Sequence, residues 1–77
     1  MVVKVLFFGV LSDIAKTMSI NVENKKDTNE LIKYIETEYP QIKKYKYKVS
    51  VNRNLIANNI VLNNKDEIAL LPPFAGG

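Results

Sequence analysis

The sequence predicts an α+β domain: a small mixed sheet with one main helix packed across its inner face and a flexible C-terminal tail. Two alternating stretches, one helical stripe and a glycine ending point that way. Thr17-Met18-Ser19-Ile20-Asn21-Val22-Glu23 and Tyr47-Lys48-Val49-Ser50-Val51 switch between polar and apolar at each step, the period of a half-buried strand. Leu31, Ile32, Ile35 and Tyr39 recur at the spacing of one helix face. The chain closes on Pro72-Pro73-Phe74-Ala75-Gly76-Gly77, where stiff residues lead into unobstructed ones.

Taken in order, Val2 to Phe8 forms the first strand and Gly9 to Lys16 a short turn or helical segment carrying Val10, Leu11 and Ile14. The second strand follows, with Met18, Ile20 and Val22 expected inward. Asn24 to Asp27 is a polar loop, and Asp27 with Glu30 three residues on approximates a capping box at the helix start. Pro40 ends that helix, because its ring disfavours helical geometry in the preceding residue. A lysine-rich connection leads to the strand around Val49, with Tyr47 inward. Leu55 to Ala57 reads as a minor strand, and Glu67 to Leu71 as the last. The order β, β, α, β, β is the β-grasp, or ubiquitin-like, arrangement, expected over residues 1–71, with 72–77 as an extended tail.

Strand parity extends the prediction to the outer face. With Val3, Val5 and Phe7 toward the helix, Lys4, Leu6 and Phe8 point away; in the last strand Ile68 and Leu70 face in, leaving Glu67, Ala69 and Leu71 out. Leu6, Phe8 and Leu71 are therefore expected to be partly exposed beside the tail, the kind of apolar patch that marks a protein interface.

Composition narrows the function. A chain of 77 residues buries a small core and has little room for a deep active site of its own. It contains no cysteine and no histidine, which removes thiol nucleophiles, disulfides, the usual neutral-pH base and the commonest metal ligand. No metal site is expected, and Asp13, Asp27, Asp66 and Glu67 read as turn, cap and strand-start residues. The net charge of +3 is mildly basic. No apolar run nears the ~20 residues that span a bilayer, and the opening strand lacks the marks of a signal peptide. A cytoplasmic protein without membrane association is expected. Lys43-Lys44-Tyr45-Lys46-Tyr47-Lys48 alternates cations with aromatics, a pattern that could pair phosphates and stack bases. Its place between helix and strand, and the acidic residues elsewhere, favour a solvated connection, so no nucleic-acid partner is expected.

Lys4-Val5-Leu6-Phe7-Phe8, Val51-Asn52, Asp66-Glu67-Ile68-Ala69 and the closing Pro72-Pro73 with Gly76-Gly77 resemble the small subunit of molybdopterin synthase, the MoaD type of sulfur-carrier protein. The resemblance spans the whole chain, and Pro-Pro-x-x-Gly-Gly is its most specific element. Two positions depart: Ser12-Asp13 stands where many relatives have a basic residue before an acidic one, and Lys65 where they often have glycine. Lys65 follows Asn63-Asn64, and because Asn tolerates left-handed backbone, that turn is expected to be built differently.

The resemblance implies a β-grasp fold and a chemistry at Gly77. An E1-like adenylating enzyme joins the Gly77 carboxylate to AMP from ATP and Mg, and a sulfur donor protein supplies the sulfur that displaces AMP. The resulting thiocarboxylate then attacks a pterin precursor held by the synthase large subunit in a two-plus-two heterotetramer. No cofactor is expected on this chain itself, which acts as the non-catalytic, sulfur-donating subunit. Gly77 is the reacting end, and Gly76 keeps the approach narrow. Pro72, Pro73, Phe74 and Ala75 guide the tail, which extended reaches about 20 Å at roughly 3.3 Å per residue. Leu6, Phe8, Leu55 and Leu71 are expected to bind the partners. The alternatives are a carrier for thiazole, cysteine synthesis or tRNA thiolation, and a ubiquitin-like modifier conjugated through Gly77.

Overall fold

The computed structural model describes residues 1–73. Strands β1 (Val2–Phe7), β2 (Ser19–Glu23), β3 (Lys48–Val51), β4 (Asn54–Leu55) and β5 (Glu67–Leu71) form one sheet in the order β2-β1-β5-β3-β4. The two chain-terminal strands lie at its centre as a parallel pair, with Val5 opposite Ile68 and Leu6 opposite Ala69. All other pairs are antiparallel. Helix α1 (Val10–Ala15) joins β1 to β2, and helix α2 (Thr28–Glu38) crosses the inner face.

Alternation decides which side chains meet α2. Val3, Val5, Phe7, Val22, Val51, Ile68 and Leu70 are buried with Leu31 and Ile35 of the helix. Phe7 meets Tyr39 edge to face at 5.5 Å between ring centres, the orientation that sets a positive ring edge against a negative face. At the helix start the Asp27 carboxylate accepts from the Glu30 N–H at 2.9 Å. Glu30 reaches back to the N–H of Lys26, one residue earlier than in a standard capping box. Asn59 tethers the same turn, its amide oxygen accepting from the Thr28 hydroxyl and the Asn29 N–H.

Several sequence expectations change. β2 begins at Ser19 rather than Thr17, because the Thr17 hydroxyl bonds both the C=O and the N–H of Ser19. Met18, expected inward, is 77% exposed just ahead of that strand. β2 is an edge strand, so a residue before it has a neighbour on one side only. The minor strand is Asn54–Leu55, not Leu55 to Ala57. The helix ends before Pro40 as predicted, but Pro40 to Lys44 is a 3-10 helix that buries Ile42 completely, not a plain connection. At the turn before β5 Lys65 itself adopts the left-handed conformation, with φ 70°, while Asn63 and Asn64 do not. Their work is hydrogen bonding. The Asn63 N–H donates to Asp66, and the Asn64 side-chain oxygen accepts from the N–H of Val2.

Candidate docking face and tail root

The sheet face turned away from α2 carries the apolar residues singled out from the sequence. Leu6 lies opposite Ala69, Ala69 opposite Ser50, and Ser50 opposite Leu55, so one row of side chains crosses four strands. Together with Phe8, Leu71, Arg53 and Glu67 they line a shallow concavity of about 450 Å³. Phe8 is 45% and Leu55 63% exposed, while Leu6 and Leu71 are half-buried. Ala69 was expected outside; it faces outward but is only 9% exposed, because a methyl at the centre of a sheet lies below its larger neighbours. All four predicted partner-binding residues thus border one hollow. Ser50 and Arg53 were not anticipated there, since β4 and its register had to be known first.

The tail starts beside that hollow. β5 ends at Leu71, Pro72 is half-buried and Pro73 is exposed. The roles predicted for Phe74, Ala75, Gly76 and Gly77 lie outside the described residues. Gly9 is the residue that sequence reasoning overlooked. It has φ 54° and ψ −133°, a backbone state for which a side chain is ill suited, and a Cβ there would stand 3.0 Å from the Pro72 ring. Its missing side chain leaves the room into which Pro72 packs. A glycine directly after an apolar strand was the available signal. Ser12 donates its hydroxyl hydrogen to the Gly9 carbonyl at 2.7 Å and so secures this corner.

Charge surrounds the hollow unevenly. Lys48 is in register with Leu71, at the tail end of the face, and Lys4 with Glu67. Arg53 projects from the turn between β3 and β4, where Asn52 (φ 50°) and Arg53 (φ 71°) are both left-handed. Asp66 staples this region from below, accepting from the Asn52 amide at 2.9 Å and the Asn63 N–H at 2.8 Å, a structural duty that agrees with its reading as a turn residue. The two displaced ionisations lie elsewhere. The Glu30 N–H, then the Asn59 side chain, hold the Asp27 carboxyl below its usual range. Burial, then the Glu36 carboxylate at 2.6 Å, push the Tyr47 phenol above its usual range. Tyr47 lies on the inner side as predicted, packed against the core. Among the described residues no cluster of three or more acidic groups is arranged to hold a metal.

The profile of the ThiS family matches residues 5–77. The chain belongs to the ThiS family. A relative named molybdopterin synthase sulfur carrier subunit, from Mycobacterium tuberculosis, is 29% identical over 80 residues, covering 97% of this chain and 96% of its own. Among solved structures, a chain in the complex of subunits 1 and 2 of molybdopterin-converting factor from Helicobacter pylori is 35% identical. Its TM-score is 0.75, with all of both chains covered. SAMP1 from Haloferax volcanii superposes with a TM-score of 0.83 at 20% identity, again over both whole chains, a likeness of fold alone. This ThiS-family chain is therefore a β-grasp protein. None of its helices, among the described residues, is long and apolar enough to cross a membrane.

Proposed function

We propose that this ThiS-family chain is the sulfur-carrying small subunit of a molybdopterin synthase. The observation that carries the reading is its end-to-end likeness, at 35% identity, to a chain of the Helicobacter pylori converting-factor complex. The apolar hollow beside the tail root supports it, because a carrier must seat its body on a partner while its end enters that partner's active site. The carboxylate of Gly77 is a poor electrophile. An E1-like enzyme makes it reactive by transferring AMP from ATP, with pyrophosphate leaving. Hydrosulfide, released by a donor protein, attacks the acyl carbon, and AMP departs with the electron pair of the broken anhydride bond. The thiocarboxylate so formed is largely ionised at neutral pH and is a good nucleophile. Docked on the large subunit, its sulfur attacks the pterin precursor to form a covalent intermediate, which water hydrolyses, returning Gly77 as a carboxylate. A dithiolene needs two sulfurs, hence two loaded carriers per product and a two-plus-two assembly. The setting is cytoplasmic.

Intact mass after incubation with ATP, an activating enzyme and sulfide tests this reading. Exchange of one oxygen for sulfur adds roughly 16 Da, confined to the C-terminal peptide. Deleting Gly77 is expected to leave the fold intact and abolish the gain, and a truncated chain that loads normally would refute the assignment. The family profile is equally compatible with a carrier that serves thiazole synthesis. Transfer from the loaded chain to the pterin precursor on the large subunit separates the two.

A further inference from the structure

We infer that Arg53 is a specificity-determining contact of the docking face, receiving a carboxylate from the protein that seats there. The inference rests on the docking role given to this face above and adds the chemistry of its occupant: an apolar side chain for the hollow and an acidic one beside the β3–β4 turn. Arg53 stands where the backbone least favours it. A two-residue hairpin turn with both φ values positive selects Asn then Gly, and here Asn52 fits the first place while Arg53 fills the second at φ 71°. The turn does not need that side chain. Its bonds run from the Asn52 amide to Asp66, from the Glu67 N–H to the Asn52 side-chain oxygen at 2.9 Å, and from the Asn54 amide to the Asn52 carbonyl. Among the described residues the guanidinium takes part in none of them.

What the arginine does instead is line the hollow with Leu6, Phe8, Leu55 and Leu71. The one carboxylate lining the same hollow, Glu67, is in register with Lys4. Lys48, at the opposite end of β3 from the Arg53 turn and in register with Leu71, adds a second cation to this face. An exposed guanidinium held at the edge of an apolar depression offers a planar two-pronged donor, which matches a carboxylate better than an ammonium does. The turn's own bonds hold this backbone, so the arginine where glycine would fit with less strain, together with its exposed guanidinium beside the hollow, points to a use for the side chain outside the turn.

Binding of the full-length chain to the synthase large subunit, measured by calorimetry at low and high salt, tests this. Arg53→Gly removes the guanidinium and relieves the turn, so its melting temperature should equal or exceed that of the parent. Its affinity is expected to fall about tenfold, with a flatter salt dependence. Arg53→Lys should recover only part of the loss, since the charge returns without the fork. Phe8→Asp serves as the control on the face itself. If Arg53→Gly binds like the parent while Phe8→Asp fails to bind, the assignment of Arg53 is wrong and the docking face stands. If both variants bind like the parent, the docking face falls with it.

Discussion

Tyr47 shows how one side chain ties the inner layer together. Its ring packs against the core while its hydroxyl donates to Glu36 on α2, linking the approach to β3 with the helix above it. Burial and the neighbouring carboxylate raise the phenol above its unfolded value of ~10. A group whose folded pKa is raised contributes stability that is complete below the unfolded value and is lost as pH climbs toward the folded one. Tyr47→Phe should therefore cost about 1 kcal/mol between pH 7 and 9, with the gap to the parent closing above pH 10. Denaturant melts across that range check it, and a constant gap up to pH 11.5 would contradict the assignment. Gly9 and Lys65 are the opposite kind of residue, important for backbone rather than contacts. The sequence could not reveal that Lys65 would accept a left-handed conformation in place of its asparagine neighbours, because the turn is fixed partly from the other end of the chain, where the Val2 N–H donates to the Asn64 side-chain oxygen, alongside the local bond from the Asn63 N–H to Asp66.

Among the elements, those with a repeating pattern were legible and those without were not. β1, β2, β3, β5 and α2 announce themselves by alternation or helical spacing, and only their ends shift by a residue or two. The 3-10 helix Pro40–Lys44 has a single apolar residue among five, so no period exists to be read. Yet Ile42 is fully buried and α1 packs nearby, closing the core at the end where α2 stops. Ile42→Ala is accordingly expected to destabilise the domain by about 2–5 kcal/mol, the range for truncating a buried aliphatic side chain. Urea unfolding measures this directly, and a loss below 1 kcal/mol would show that this short helix is dispensable. β4 illustrates a different limit. Two residues are too few for alternation, and only pairing with Ser50 and Val51 turns Leu55 toward the outer face.

For the molecule as a whole, the proposed docking face depends on contributions from strands far apart in sequence. Parity within β1 and β5 was enough to name Leu6, Phe8 and Leu71 and the family resemblance added Leu55, but the place of Arg53 beside them required the strand order. Since Phe8 is 45% exposed, Phe8→Asp should alter monomer stability by no more than about 0.5 kcal/mol. If Phe8 anchors the partner, the same change should weaken association by about 2 kcal/mol or more. Thermal melts and titration calorimetry on one preparation separate the two effects; equal losses in both would mark Phe8 as a core residue instead. The position of β5 carries a mechanical consequence. Being flanked by β1 on one side and β3 on the other, it transmits a tug on the tail along its own length, so the rungs on both sides are strained together instead of peeling off in succession. The root of the tail is thus roped to the centre of the sheet rather than to a fringe that could fray.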